Sequence, residues 1–291
     1  MHRSLIGLYH LSEIMRWIVG DIHGMLRCLQ PLVERVNQLD AGAQFIFAGD
    51  YVNRGPQSKE VIDFLLDMTN ARFIRGNHDD IFDMVINGTC YAEVATNNDR
   101  VAAFKWFMNF GLDETLLSYG VDPIDLNCLM DECSIADLDK LGMGIPQRHR
   151  DFIRNLPPII EEDDIFVVHG KWDPDELAEA PSISAKIEKN SLLRHPLLWG
   201  RYETGQVGRL KAWRRTGFFG HTPVSHYESL MRSQQQTDRL QMLPIVGANM
   251  VLLDTAAALG LDGRLTAMCV ETREFVQVDH FGRDVKPGKG A

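Results

Sequence analysis

Residues 16–24 read RWIVGDIHG: a short apolar run ends in a glycine, and two side chains that can bind metal follow, Asp21 and His23. Runs of four to six residues that are rich in Ile, Val and Phe and closed by Gly are typical of buried strands. The stretch therefore predicts a strand over residues 16–19. The polar residues Asp21 and His23 follow its carboxyl end, which is where open α/β folds bind their ligands.

The same pattern occurs four more times along the chain. The apolar runs cover residues 44–48, 71–75, 164–168 and 217–219, and they lead into Gly49-Asp50, Gly76-Asn77-His78, His169-Gly170 and Gly220-His221. Open α/β folds bind their ligands at the carboxyl ends of strands. Five such ends in one chain therefore predict a single shared site.

Between these strands the apolar residues change to helical spacing. Residues 26–39 and 61–66 repeat apolar side chains at intervals of three and four, so the chain begins strand, helix, strand, helix. From residue 80 to about residue 158 the pattern is helical. An insert of this length predicts a cap over the site, and Pro157 and Pro158 end it because proline excludes helix.

Three strand-like runs follow near the end of the chain, at residues 250–253, 265–270 and 275–278. They are closely spaced, and the turn signal at 261–264 predicts an antiparallel meander. Gln234, Gln235 and Gln236 form a polar bridge before them. No linker-like shift in composition divides the chain, so we expect one domain over residues 15–281, a helical cap at about 80–158, and flexible segments at 1–14 and 282–291.

The composition is that of an ordinary soluble globular protein: 291 residues, 45% apolar and 24% charged. Thirty basic residues against 40 acidic residues give a formal net charge of −10, which argues against general nucleic-acid binding. Any phosphate recognition must be local. Five scattered cysteines without a CxxC pair predict free thiols in a reducing compartment. No apolar run approaches the length of a membrane span, so we expect a cytoplasmic protein without a membrane partner and leave its oligomeric state open.

The polar residues at the strand ends form a mixed set of oxygen and nitrogen ligands. Such a set suits Mn, Fe or Zn better than Ca or Mg. Each residue alone has an ordinary explanation, for instance a turn for Asp or Asn and a hydrogen-bonded core position for His. Six ligands in one repeated pattern instead fit two ions about 3.5–4 Å apart, bridged by a carboxylate. The six candidates are Asp21, His23, Asp50, Asn77, His169 and His221.

Taken together, the motifs resemble the calcineurin-like metallophosphoesterases, and within them the phosphoprotein phosphatase branch, particularly its bacterial members. The resemblance rests on GDIHG at 20–24, GDYVNRG at 49–55, GNHD at 76–79, HG at 169–170 and GHTP at 220–223, with a secondary match at Glu114-Thr115-Leu116. It implies an α/β fold in which a two-sheet β-sandwich is flanked by helices. It also implies a dinuclear metal site at the carboxyl ends of the strands.

The resemblance also implies roles for individual residues. Asp21, His23 and Asp50 would hold the first metal, and Asp50, Asn77, His169 and His221 the second. The two divalent ions would be Mn, with Fe or Zn as alternatives, and a metal-bridging hydroxide would be the nucleophile.

Three further residues would act on the phosphate. Arg54 would bind it as a bidentate fork, and His78 would protonate the leaving oxygen. Arg201 is the candidate for a second phosphate-binding arginine. The alternative for Arg201 is one more charge on a basic, solvated face.

One position departs from the protein phosphatase pattern. Those enzymes carry Asp where this chain has Asn53, and an amide cannot stabilise a charged His78 as a carboxylate does. The sister group of symmetrical diadenosine tetraphosphatases also lacks Asp there.

Three hypotheses follow for the function. The first is a serine/threonine protein phosphatase-type phosphomonoester hydrolase. The second is a symmetrical diadenosine tetraphosphatase-like phosphoanhydride hydrolase. The third is a binding protein that has lost activity. The substrate would accordingly be a phosphorylated protein, a small phosphate ester or a nucleotide.

Overall fold

Two mixed β-sheets organise the chain in a computed structural model that describes residues 14–94, 96, 98–172, 182–209, 213–231 and 242–285. One sheet has the strand order β11-β10-β9-β1-β2-β3, and the other has the order β4-β5-β6-β8-β7. The strands are β1 (Arg16–Val19), β2 (Gln44–Phe47), β3 (Ala71–Phe73), β4 (Ile159–Glu161), β5 (Ile165–Val168), β6 (Thr216–Phe219), β7 (Ile245–Val246), β8 (Met250–Leu252), β9 (Arg264–Cys269), β10 (Phe275–Asp279) and β11 (Asp284–Val285).

Helices lie between the strands and cover the sheets. They are α1 (Leu26–Leu39), α2 (Ser58–Leu66), α3 (Asn77–Asn87), α4 (Arg100–Phe107), α5 (Leu112–Ser118), α6 (Pro123–Asp131), α7 (Ile135–Gly144), α8 (Gln147–Arg154), α9 (Ile183–Lys189), α10 (Arg194–Trp199) and α11 (Val224–Met231). Helices α3 to α8 occupy the region predicted as the cap, while the single-domain organisation stays a prediction. Within the described ranges, no helix is long and apolar enough to cross a lipid bilayer.

Alternate residues of the strands build two different cores. Ile18 of β1 and Ile46 of β2 pack in one buried cluster with Val167 of β5 and Phe218 of β6, which closes the two sheets face to face. The neighbouring Val19 points the other way and packs in the cluster that contains α1 and the cap helices. This is the period of two that a strand imposes. The predicted two-sheet sandwich flanked by helices is confirmed.

The five predicted strand ends come from both sheets. Strands β1, β2 and β3 run parallel in the first sheet. Strands β5 and β6 run parallel in the second. The motifs therefore follow β1, β2, β3, β5 and β6, and the sandwich brings their carboxyl ends to one edge.

The prediction of a three-stranded meander near the end of the chain is wrong. Strand β8 pairs with β6 and β7 in the second sheet, whereas β9 and β10 pair with each other in the first. All of β8 is buried, as expected for a strand in the interior of its sheet, and short loops alone could not reveal this.

The prediction of a flexible tail is wrong in part, because β11 pairs with β10 through Asp284 and Val285. Residues 286–291, residues 1–13 and the predicted polar bridge at Gln234, Gln235 and Gln236 lie outside the described residues.

A buried histidine ties the cap to the rest of the fold. His149 of α8 accepts a hydrogen bond from the Tyr119 hydroxyl at Nδ1 (2.9 Å) and donates from Nε2 to the Asp63 carboxylate of α2 (3.0 Å). Its side chain is fully buried. Burial lowers the pKa of His149, and the Asp63 carboxylate offsets this only in part.

This contact predicts a pH-dependent stability. Because the folded pKa of His149 lies below its unfolded value of about 6.5, the unfolded state binds the proton more readily, and the free energy of unfolding falls as the pH drops below that value. We expect His149→Phe to cost about 1–3 kcal/mol at pH 7.5, since the Tyr119 hydroxyl and the Asp63 carboxylate each lose one hydrogen bond, and to flatten the pH dependence below 6.5. Urea denaturation at several pH values measures both, with the exposed His195→Phe as control. An unchanged pH slope in His149→Phe would contradict the assignment.

Candidate metal centre

Tight turns directly after the strands aim the candidate ligands inward. His23, Asp50 and His221 have φ angles of 50°, 54° and 66°. These values lie in the left-handed region, which residues other than glycine rarely adopt. Asn53 and Arg54, both at 71°, share this conformation. Such strained positions cluster where the surrounding fold fixes a functional geometry.

Two motif glycines are required because carboxylates pass directly against the backbone. A Cβ on Gly76 would lie 2.1 Å from Asp50 Oδ1, and a Cβ on Gly220 would lie 2.1 Å from Asp21 Oδ1. Any larger residue at either position would displace a candidate ligand. The pairing of Gly with a polar residue in these motifs is therefore a packing requirement of the site.

Main-chain carbonyls orient the three candidate histidine ligands. Each ring donates one N–H to a carbonyl, so the other ring nitrogen carries a lone pair and can bind metal. The donor and acceptor pairs are His23 Nδ1 to Val52 O (3.0 Å), His169 Nδ1 to Ala48 O (2.8 Å) and His221 Nε2 to Trp199 O (3.2 Å).

The three lone pairs converge on acceptor oxygens. His169 Nε2 lies 2.9 Å from Asn77 Oδ1 and 3.3 Å from Asp50 Oδ1. His221 Nδ1 lies 2.9 Å from the same Asn77 oxygen, and His23 Nε2 lies 3.5 Å from Asp50 Oδ2. Ring nitrogens with lone pairs thus face oxygens that also accept, and such an arrangement is unfavourable in a buried site unless a cation lies between them.

Asp21 supplies an independent sign of a missing partner. Its Oδ2 accepts the backbone N–H of His221 at 2.9 Å, whereas its Oδ1 is buried without a donor in the described part of the chain. Potential ligand atoms of Asp21, Asp50 and His169 lie within 4.8 Å of one another, as do those of His23, Asp50 and His78. Asp50 belongs to both groups. The residues present therefore fit a pair of metal ions that share Asp50.

The pKa values of the buried groups reflect the same crowding. Burial, together with Arg54, lowers the pKa of His23 to about 3. Burial opposes the charged form of His169 as well, but the carboxylates of Asp50 and Asp21 raise its pKa to about 10. Burial and the neighbouring Asp254 raise the pKa of Asp21. The carboxylates thus favour a positive charge at His169, whereas burial and Arg54 oppose one at His23.

The predicted phosphate-binding residues line the same pocket as three of the candidate metal ligands. A pocket of about 70 Å³ is lined by the candidate metal ligands Asp50, Asn77 and His221 together with Arg54, His78 and Arg201. Arg201 Nη1 also donates to Thr222 Oγ1 at 3.4 Å. The fold therefore brings all predicted catalytic and metal-binding side chains to one place, with Asn53 directly behind His78.

Aromatic side chains also line this pocket. Trp106 of α4 stacks on Trp199 of α10, with ring centroids 5.7 Å apart and planes inclined by 15°. Phe107 and Phe110 complete the aromatic lining. The cap region thus contributes directly to the lining of the site.

The contact between Asn53 and His78 has a defined direction. Asn53 Oδ1 accepts from the hydroxyl of Thr115 at 2.8 Å, so its Nδ2 faces His78 Nδ1 at 3.0 Å. An amide nitrogen can only donate, and His78 Nδ1 therefore accepts. Burial lowers the pKa of His78 well below its ordinary value, while the Asp50 charge offsets this only in part.

Sequence reasoning missed two residues that support the site. The Asp79 carboxylate accepts the backbone N–H groups of Asp50, Tyr51 and Gly76 at 2.8–2.9 Å and so fixes the turn that carries Asp50. Thr115 holds Asn53. Asp79 lies in the GNHD motif and Thr115 in Glu114-Thr115-Leu116. Their membership of these motifs was the signal in the sequence that could have indicated a supporting role.

The chain is similar to several known proteins. The model of the calcineurin-like phosphoesterase family matches residues 16–242. A symmetrical bis(5'-nucleosyl)-tetraphosphatase of Marinomonas sp. (strain MWYL1) is 32% identical over 111 residues, which are 34% of this chain and 40% of the relative. The enzyme of the same name from Coxiella burnetii (strain Dugway 5J108-111) is 41% identical over 63 residues, 22% of each chain.

The chain thus matches less than half the length of these curated relatives. The crystal structure of a metallophosphoesterase from Sphaerobacter thermophilus superimposes with a TM-score of 0.49 at 14% identity, over 94% of this chain and 88% of that one. The family match spans most of the chain and all five motifs. The protein belongs to the calcineurin-like phosphoesterase family, whose members are dinuclear metal-dependent hydrolases.

Proposed function

We propose that the protein hydrolyses phosphate bonds whose leaving groups are weak bases, and that nucleotide phosphoanhydrides such as diadenosine tetraphosphate are its best substrates. The observation that carries this proposal is the hydrogen bond from the Asn53 amide to His78 Nδ1. A carboxylate at position 53 would accept a hydrogen bond from the Nδ1–H and stabilise the imidazolium. The amide donates to Nδ1 and therefore opposes that cation.

The basicity of the leaving group determines how much a weaker proton donor at His78 lowers the rate of hydrolysis. An alkoxide that leaves from phosphoserine is a strong base and needs a proton in the transition state. A nucleotide phosphate that leaves from an anhydride is a much weaker base and needs little help. A neutral His78 therefore suits an anhydride better than a phosphoserine ester.

The rest of the pocket supports a nucleotide substrate. Arg54 and Arg201 offer two permanently charged donors for phosphate oxygens. Trp106 and Trp199 add aromatic, apolar surface to the lining of the pocket, of the kind that a nucleobase contacts. The names of the relatives from Marinomonas and Coxiella point to the same substrate class.

The proposed roles follow from the positions of the side chains. The six candidate ligands, Asp21, His23, Asp50, Asn77, His169 and His221, would hold two divalent ions, for which we propose Mn, with Fe or Zn as alternatives. When bound, such ions polarise phosphoryl oxygens and bring the pKa of a water near neutrality. Arg54 and Arg201 would bind the phosphate, and His78 would donate a hydrogen bond to the leaving oxygen while Asn53 orients its ring.

A side-by-side measurement tests the proposal. We expect kcat/KM for diadenosine tetraphosphate to exceed that for a phosphoserine peptide by about 10-fold or more on metal-stripped protein reconstituted with Mn, because general-acid help is worth about 10²–10⁴-fold where it is needed. A preference for the peptide would overturn the proposal in favour of a serine/threonine phosphatase. Absence of turnover with full metal content would indicate a binding protein.

Asn53→Asp is the matched control in the same assay, because it restores the carboxylate with almost no change in shape. It should raise kcat/KM for the phosphoserine peptide by about 10-fold. Diadenosine tetraphosphate and nitrophenyl phosphate should change little. An equal gain for all three substrates would refute the leaving-group argument.

A further inference from the structure

A chain of buried polar side chains leads from the cap to His78. The Ser58 hydroxyl lies 2.9 Å from the Thr115 hydroxyl, which lies 2.8 Å from Asn53 Oδ1. Asn53 Nδ2 in turn lies 3.0 Å from His78 Nδ1. Ser58, Thr115 and Asn53 are fully buried, and His78 is 3% exposed. Water therefore offers these groups little alternative to one another.

The number of protons available on these groups determines which of them donates and which accepts in each hydrogen bond. The Asn53 backbone N–H already donates to both hydroxyl oxygens, at 2.8 Å to Thr115 and 3.2 Å to Ser58. Each hydroxyl has one proton to donate. If Ser58 donates to Thr115, Thr115 donates to Asn53 Oδ1 and Asn53 Nδ2 donates to His78, both hydroxyl protons and the amide proton that faces His78 find an acceptor.

The opposite orientation of the amide fails this count. Asn53 Nδ2 would then donate to Thr115, and Thr115 would donate to Ser58. The Ser58 proton would be left without an acceptor among the hydrogen bonds of the described residues, in a site with no exposed surface. An unsatisfied buried donor carries the full cost of its lost hydration. The first orientation is therefore the stable one.

We propose that Thr115, oriented by Ser58, is a positioning residue that fixes the Asn53 amide and thereby keeps the ring proton of His78 on Nε2, where it faces the phosphate pocket. A neutral imidazole carries one N–H, so a ring that accepts at Nδ1 must donate at Nε2. Arg54 Nη2 lies 3.3 Å from that nitrogen, which could accept a hydrogen bond from it only in the other tautomer. With the proton on Nε2, both N–H groups instead need an acceptor, and an oxygen of the phosphate or of the leaving group supplies it.

This inference deepens the proposed function and rests on it for the use of the Nε2 proton. The position of the proton itself is a separate, measurable property. His78 in this state supplies a directed hydrogen bond through Nε2. The cap supplies Thr115, so the helical insert sets the chemistry of a residue that belongs to the GNHD motif.

Long-range ¹H–¹⁵N correlation spectra of protein labelled with ¹⁵N-histidine test the proposal. The spectra are recorded on protein loaded with diamagnetic Zn, and the His78 signals are identified by their loss in His78→Asn. We expect Nδ1 to resonate as an unprotonated ring nitrogen and Nε2 as a protonated one. A protonated Nδ1 in the wild-type protein would overturn the proposal without the need for any variant at position 115.

Variants separate positioning from simple packing. Thr115→Val keeps the shape but removes the hydroxyl, and we expect signals from a protonated Nδ1 to appear; Thr115→Ser should retain the wild-type pattern. Unchanged signals from the other histidines show that each variant is folded. A wild-type pattern in Thr115→Val would exclude Thr115 as the positioning residue. Because the spectra contain no substrate, a wrong substrate assignment would leave this result intact, and the kinetic comparison would reveal it separately.

Discussion

Replacement of Asp50 by Asn is expected to abolish both metal binding and turnover. The two oxygens of Asp50 face different candidate ligands, His169 at 3.3 Å and His23 at 3.5 Å, so this carboxylate is common to both halves of the site. Loss of even an outer partner of a metal ligand costs about 10–100-fold in affinity. Removal of the shared charge should cost at least about 100-fold in metal affinity and about 10³-fold or more in kcat/KM.

Metal content after reconstitution and kcat/KM for diadenosine tetraphosphate measure the two effects. The control is Asp139→Asn, the same substitution at an exposed carboxylate that pairs with Arg100. His221→Ala should act in the same direction as Asp50→Asn, because its Nδ1 faces the Asn77 oxygen. Wild-type metal content and turnover in either site variant would mean that the site has been placed wrongly.

The strand ends could be predicted because their signal is local. A buried strand that must stop and turn within two residues needs glycine, and a polar side chain placed there points off the end of the sheet. His23, Asp50 and His221 show this directly through their positive φ angles. The sequence therefore contained the identity and the direction of these side chains before any tertiary contact was known.

Pairings across long stretches of sequence could not be predicted in the same way. Strand β8 is followed closely by β9, yet the two lie in different sheets. Val251 of β8 packs against the opposite sheet, and Met250 and Leu252 pack in a second cluster that includes residues of α9 and α11. The bond from Thr115 to Asn53 likewise joins residues 62 positions apart. Spacing along the chain carries no information on such contacts.

Arg54 is the second residue whose replacement should have a large effect on turnover. The Arg54 backbone adopts a φ of 71°, and its N–H donates to Gly111 O at 3.1 Å, so the residue directly before α5 fixes this turn. A Cβ on Gly111 would lie 2.2 Å from Arg54 N, which only glycine allows. The side chain is thus aimed at the pocket by backbone contacts that a substitution at position 54 leaves in place.

We expect Arg54→Lys to lower kcat/KM for diadenosine tetraphosphate by about 10–100-fold. A hydrogen bond to a charged group contributes about 1.5–3 kcal/mol, and each 1.4 kcal/mol is a factor of ten. Lysine keeps the charge but loses the planar fork that binds two phosphate oxygens. Inhibition by inorganic phosphate should weaken in parallel, whereas metal content should stay at the wild-type level. Arg209→Lys, at an exposed position, is the control. If metal content fell together with kcat/KM, Arg54 would support the metal ligands, and the phosphate would have to be bound by Arg201.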